Sequence, residues 1–311
     1  MENKLIKIIN IVGPTASGKT KLGVEIAKIF GGEVISADSM QVYKEFDILS
    51  AKPSPEEMQG VQHHLVDCIP VSQEYSVSEF VSQASKAIKS VSEKGSIPVL
   101  VGGTGLYVDS LLRGMSFEKD SSRNDSKRDE LFRLENEELM AILRKIDKTS
   151  AEKIHPNDKK RLVRAIEFFY CSGYPISEQT KKSKLVDSPY VACRIGLNFK
   201  DRNILYDRIN RRVEKMFESG MVEEVRKVSE SEISKTAQAA IGYKELLPYI
   251  NGKCTLEEAK ENLKQASRRY AKRQLTWFRR DEKINWIYVD EFEDSGKLTK
   301  IAEDIIKKFE W

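Results

Sequence analysis

A chain of 311 residues that is 40% hydrophobic and 32% charged points to a soluble globular protein with one large core or two smaller ones. Its four cysteines, Cys68, Cys171, Cys193 and Cys254, are too far apart for a zinc knuckle or a disulfide framework, and the apolar stretch Leu5–Val12 is too short and too polar for a secretory signal or a membrane span. The net charge of +4 selects no partner, but nine Lys or Arg against three Glu between Asn251 and Arg280 gather basic character near one end and leave the remainder slightly acidic.

In chain order, Lys4–Val12 reads as a buried strand. It runs directly into Gly13-Pro14-Thr15-Ala16-Ser17-Gly18-Lys19-Thr20, which opens a helix over Lys19–Phe30. This is the phosphate-cradling P-loop pattern: glycines let successive N–H groups point inward, the helix adds its positive end, Lys19 supplies a mobile cation, and Thr20 offers a hydroxyl to Mg²⁺. Glu33–Ala37 reads as a second strand ending at Asp38, and Ser76–Lys94 as a helix with apolar residues at three-and-four spacing. Ile97–Val101 is another buried strand, followed by Gly102-Gly103-Thr104-Gly105. Strand, crossover helix and strand imply a parallel sheet with ligands at the carboxyl ends, where the phosphate loop, Asp38 and Thr104 all fall.

From Gly114 to about Asp187 the texture changes to charged helices, Ser126–Lys145 and Asn157–Cys171, without a convincing strand. Strand signal returns at Cys193–Phe199 and Ile284–Asp290, with helices over Asn203–Ser219, Val222–Ser229 and Thr255–Arg280. The expected fold class is therefore α/β. A P-loop NTPase-like parallel sheet flanked by helices occupies residues 1–113 and 188–311, and an all-helical insertion domain occupies residues 114–187. The last helix opens with a capping box, Thr255-Leu256-Glu257-Glu258. It carries a basic stripe, Lys260, Lys264, Arg268 and Lys272, expected to meet solvent or phosphate, opposite an apolar stripe. His63 and His64, adjacent in a strand, point to opposite faces and have no carboxylate spacing to complete a metal site, so they read as structural or substrate-shaping.

A second group of motifs is less generic: Asp38-Ser39-Met40-Gln41-Val42-Tyr43, His63-His64-Leu65-Val66-Asp67, Gly102 to Tyr107, Ile154-His155-Pro156-Asn157-Asp158, Arg161 to Glu167, Ile241 to Glu245 and Tyr270 to Gln274. With the P-loop, these resemble the tRNA dimethylallyltransferase (tRNA isopentenyltransferase) family, over about residues 7–280. The segment Gly114–Asp120 departs most from the family pattern. The resemblance implies transfer of a dimethylallyl group from its diphosphate to N6 of adenine 37, 3′ to the anticodon, in tRNAs reading codons that begin with U. It also implies a cytoplasmic, monomeric enzyme with no membrane partner, bacterial in type because the chain ends without the added zinc finger of animal and yeast relatives.

By the same resemblance, Gly13, Pro14, Thr15, Ala16, Ser17, Gly18, Lys19 and Thr20 hold the leaving diphosphate together with Arg208, and Thr20 meets Mg²⁺. Asp38 is the general base and Thr104 orients the amine; with Lys19 and Arg208 they form the catalytic set. Contacts to the tRNA anticodon stem-loop are implied for Asp38, Ser39, Met40, Gln41, Thr104, Ser126, Lys160, Arg161, Leu162, Val163, Arg164, Gly242, Tyr243 and Lys244. Two enzyme readings compete. The P-loop alone fits a kinase or NTPase, which would consume ATP without prenyl transfer. An adenylate isopentenyltransferase would act on free nucleotides, and competition by free AMP would reveal it. A non-enzymatic RNA-binding module has no use for a polyphosphate loop beside an acid.

Overall fold

Strands that are apolar on both faces need cover on both sides, and in this chain the crossover connections between them supply it. The computed structural model describes residues 5–115, 125–184, 187–292 and 294–311. Lys4, at the expected start of the first strand, and residues 116–120 of the segment that departs from the family pattern lie outside the described residues. The elements are β1 (Ile6–Val12), α1 (Lys19–Phe30), β2 (Gly32–Ser36), α2 (Pro55–Met58), β3 (His63–His64), α3 (Val77–Glu93), β4 (Ile97–Gly102), α4 (Gly105–Leu112), α5 (Asp125–Arg133), α6 (Asn136–Ile146), α7 (Lys148–Ala151), α8 (Lys159–Ser172), α9 (Ile176–Lys184), β5 (Tyr190–Asn198), α10 (Arg202–Glu218), α11 (Met221–Ser229), α12 (Tyr243–Ile250), α13 (Leu256–Phe278), β6 (Ile284–Tyr288) and α14 (Ser295–Lys308). They form two compact units, Met1–Leu112 with Pro189–Trp311, and Arg113–Ser188.

The first unit is built on one six-stranded sheet in the order β3-β2-β4-β1-β5-β6, with every neighbouring pair parallel. Alternation along β1 divides the core: Ile8 and Val12 join a cluster with Phe80, Ala84 and Ile88 of α3, whereas Ile9 and Ile11 join Leu22 and Ile26 of α1 and Ala302 and Ile306 of α14. Asn10 is the polar exception in β1. Its Nδ2 donates to the Leu100 carbonyl at 3.2 Å, so the buried amide is not left unsatisfied. Because β1, β2 and β4 run the same way, the turns that follow them emerge at one edge of the sheet.

The second unit is all helical, α5 to α9, around Leu139, Met140, Leu143, Leu162, Val163 and Ile166. The single helix expected over Ser126–Lys145 is two. The break falls at Leu134 and Glu135, where the Glu138 carboxylate accepts the Glu135 N–H at 2.8 Å and starts a new helix. Helices α2, α4, α7, α9, α12 and α14 carry no matching expectation. Gly105 and Gly242 stand at the starts of α4 and α12 and Pro248 lies inside α12, so local propensity argues against helices that packing nonetheless stabilises.

Long connections line the sheet edge and are pinned by charge. Glu224 of α11 accepts the N–H groups of Asp47, Ile48 and Leu49 at 3.0, 2.8 and 2.8 Å. Lys52, with a side chain only 7% exposed, donates to the Lys44 carbonyl at 2.9 Å, to Asp47 at 2.6 Å and to Asp67. Among the described residues no helix is long and apolar enough to cross a membrane. Replacing Glu224 by Ala strips three backbone donors of their acceptor; urea unfolding is expected to show a loss of about 2 kcal/mol, and limited proteolysis to reveal new cleavage near residues 47–52.

Candidate active site

The loop after β1 takes conformations that large side chains resist: Ala16 has φ 62° and Gly18 φ 91°. Gly18 caps α1 without a side-chain acceptor, and the first turn holds no acid, so no capping side chain or first-turn carboxylate competes with an anion at this helix start. Ser17 is buried, and its hydroxyl has no hydrogen-bond partner among the described residues. Lys19 bends back so that Nζ donates to the Pro14 carbonyl at 3.4 Å. Burial of its ammonium, reinforced by nearby Arg212 and opposed by Asp38, lowers its pKa to about 8.

Helix α10 brings two cations to this loop from one face, four residues apart. Arg208 Nε donates to the Ala16 carbonyl at 2.9 Å, and Arg212 Nη1 donates to the Thr15 hydroxyl at 3.3 Å. The Arg212 guanidinium is desolvated, which pulls its pKa down, while Asp38 and then Glu57 act in the opposite sense. Thr15 contributes differently from its expected amide role. Its N–H is already donated to Gln274 Oε1 at 2.8 Å, so the amide is spent and the hydroxyl positions Arg212 instead.

The other end of the cleft is made where β2 and β4 stop. Asp38 Oδ1 accepts the Met40 N–H at 2.9 Å, which turns the chain sharply. Thr104 donates its N–H to the Ala37 carbonyl at 3.2 Å, and its hydroxyl accepts the Ser39 N–H at 3.2 Å. Tyr270 of α13 lines the same cleft, and burial pushes its pKa up to about 12. Gln41 is partly committed within the protein: Oε1 accepts from the Ser36 hydroxyl at 2.8 Å and Nε2 donates to the Ala51 carbonyl at 3.4 Å. Both ends open into one cleft of about 1200 Å³ lined by Lys19, Thr20, Asp38, Gln41, Arg208, Arg212 and Tyr270. That volume exceeds what one small ligand fills. Cations and amides at one end, with a carboxylate and a hydroxyl at the other, suit a reaction in which a polyanion departs while a proton is taken up.

Other expected residues stand elsewhere. Leu162 and Val163 have no exposed surface and belong to the core of the helical unit, so they are packing residues and not a surface for RNA. Tyr243 and Gly242 are buried as well, and a Cβ on Gly242 would come 2.4 Å from Met221 Cε. Ser126, Lys160, Arg161 and Lys244 are exposed, and Arg164 lies 3.7 Å from the buried Glu167 carboxylate. The basic stripe of α13 is corrected in part: Lys260 and Lys264 pair with Glu214 of α10 at 3.2 and 2.6 Å, and Arg268 donates to Asn210 at 2.7 Å, so this face packs on α10. His64 meets Glu33 at 2.6 Å, while His63 Nδ1 lies 2.9 Å from the Val61 carbonyl. Among the described residues no group of three or more His, Cys, Asp or Glu converges on a metal site.

The sequence placed Tyr270 on the apolar stripe of the last helix and gave no role to Arg212 or Gln274. Arg212 lies one turn beyond Arg208, and the other two bound the segment Tyr270–Gln274, so spacing offered a signal but nothing to say what each touched. Residues 41–281 match the family model described as IPP transferase. The chain is 46% identical to the tRNA dimethylallyltransferase of Thermoanaerobacter sp. (strain X514), over 95% of this chain and 96% of that one. It is 44% identical to the tRNA dimethylallyltransferase of Caldanaerobacter subterraneus subsp. tengcongensis, over 94% and 95%. Among solved structures it resembles the tRNA isopentenylpyrophosphate transferase of Bacillus halodurans, with 42% identity, TM-score 0.73 and coverage of 97% and 96%. It also resembles a eukaryotic dimethylallyltransferase acting on tRNA, with 29% identity, TM-score 0.82 and coverage of 98% and 80%.

The lowered Lys19 pKa makes anion binding pH-dependent, because only the protonated amine attracts an anion. Calorimetry with inorganic pyrophosphate is expected to show wild type binding more tightly than Lys19→Met by a margin that is full below about pH 8. Above that pH the margin shrinks by about tenfold per unit.

Proposed function

We propose that this chain, which belongs to the IPP transferase family, transfers a dimethylallyl group from dimethylallyl diphosphate to N6 of the adenine at position 37, 3′ to the anticodon, in tRNAs that read codons beginning with U. The observation that carries the reading is a polyanion cradle, with Lys19, Arg208 and Arg212 converging on it, opening into the same cleft as Asp38. A cleft with room for a second reactant beside the anion suits group transfer to a base.

In the proposed reaction the bond between the allylic carbon and the diphosphate oxygen breaks, the N6–carbon bond forms, and the N6 proton passes to Asp38. Negative charge grows on the departing diphosphate, so Lys19, Arg208, Arg212 and the amides of α1 stabilise the transition state more than the ground state. Adenine N6 is a weak nucleophile because its lone pair is delocalised, which makes a base at this point useful. Thr104, braced by Ser39, orients the amine. The target base must leave its stack to reach a site at strand ends.

The donor set fits a hard divalent cation such as Mg²⁺ held chiefly by the diphosphate and water: Thr20 lines the cleft next to Lys19, and no carboxylate cage is present among the described residues. When bound, it neutralises part of the diphosphate charge. Lys160 and Arg161 on α8 and Lys244 on α12 are exposed cations suited to RNA phosphates. The proposal includes a monomer acting in the cytoplasm, where its tRNA substrate resides.

Incubation of unmodified tRNA with the purified chain, dimethylallyl diphosphate and Mg²⁺, followed by nucleoside mass spectrometry, is expected to show one five-carbon unit added to adenosine; ATP consumption without that product would sink the proposal. Asp38→Asn is expected to lower turnover by about 10²–10⁴-fold with tRNA affinity near wild type, and wild-type turnover would remove the general base. Lys160→Ala and Arg161→Ala are each expected to reduce the salt slope of tRNA binding by about one.

A further inference from the structure

Gln274 is the group through which the two ends of the cleft touch. It is only 4% exposed. Its Oε1 accepts the Thr15 N–H at 2.8 Å, and its Nε2 donates to the Gly103 carbonyl at 3.0 Å. The approach leaves no slack, since a Cβ on Gly103 would lie 2.1 Å from Nε2. Thr15 belongs to the anion loop and holds Arg212, whereas Gly103 precedes Thr104, whose hydroxyl anchors Ser39 next to Asp38. A primary amide serves both contacts because it carries an acceptor and a donor on one carbon; an ionised carboxylate lacks the donor and an apolar side chain lacks both.

We infer that Gln274 is a positioning residue that holds the diphosphate loop in register with the Asp38–Thr104 end of the cleft, so that donor carbon and acceptor nitrogen meet at attack distance. The inference rests on the prenyl-transfer reading above. It assigns Gln274 no contact with either substrate. Its effect falls on the alignment of two separately bound reactants, where an error of about 1 Å costs about a hundredfold in rate.

The test compares wild type, Gln274→Met and Gln274→Glu in steady-state transfer across pH, with pyrophosphate and tRNA binding measured separately and thermal unfolding followed at each pH. Met preserves volume and removes both hydrogen bonds: kcat is expected to fall about a hundredfold, while each separate affinity stays near wild type. A protonated Glu has the same donor–acceptor pattern as Gln, and burial favours that form. The kcat of Gln274→Glu relative to wild type is therefore expected to rise as pH falls from about 8 to about 5.5, whereas the same ratio for Gln274→Met stays flat.

Wild-type kcat in Gln274→Met, or a Glu ratio that does not change with pH, overturns the positioning role. If Gln274→Met does not fold, the pH course of the folded Glu variant decides alone. Absence of transfer by the wild-type chain overturns the prenyl-transfer reading itself, a result separable from normal wild-type turnover with an indifferent Gln274.

Discussion

Two desolvated cations beside the Asp38 carboxylate set the character of this molecule. Lys19 and Arg212 both have lowered pKa values because burial removes water from their charges, and Asp38 opposes the effect in each case. Like charges brought together in a poorly solvated site are costly unless an anion joins them. The helix start without an acid extends the same unmet demand. A doubly or triply charged diphosphate meets all of these at once, and a leaving group that gains charge as its bond breaks meets them better than a bound substrate does. The electrostatics of the free protein thus already favour the departing state.

Holding that arrangement open takes a rigid frame, which the parallel sheet provides by ending β1, β2 and β4 at one edge. Helix α13 lies across that edge. Its residues Gln274 and Trp277 recur at helical spacing and reach Gly103 and Gly105, in the turn after β4. Glycine is required in this turn for closeness: a Cβ on Gly102 would come 2.3 Å from the Ala37 carbonyl, and one on Gly105 would come 2.3 Å from the Trp277 ring. The glycine run that reads as an ordinary turn in the sequence is therefore the surface on which a helix seats.

Basic residues proved the least readable feature. Lys260, Lys264 and Arg268 form a stripe that suggests an RNA track, yet the first two neutralise Glu214 and the third bonds Asn210, all on or against α10. Leu162 and Val163 sit between exposed cations in a segment expected to touch RNA, but helix geometry turns them into the core of the helical unit while Lys160 and Arg161 face out. A linear segment contains both faces of its helix. Which face is offered to a partner depends on what covers the other.

Alternating apolar strands, the loop Gly13–Thr20 and the position of Asp38 at the end of β2 were decided locally, by propensity, turn chemistry and periodicity, and so the sequence alone determined the α/β class, the parallel sheet and the family. Where strand and helix signals were strong, as in β1, α1, α3 and β4, the expected elements stand within a residue or two of the observed ones. The short helices α4 and α12 and the tie from Gln274 to Thr15 and Gly103 belong to tertiary structure only. Those hydrogen bonds join residues 259 and 171 positions apart, and no pattern in a linear chain records which distant side chains fill the gap between two loops until the sheet has brought the loops together.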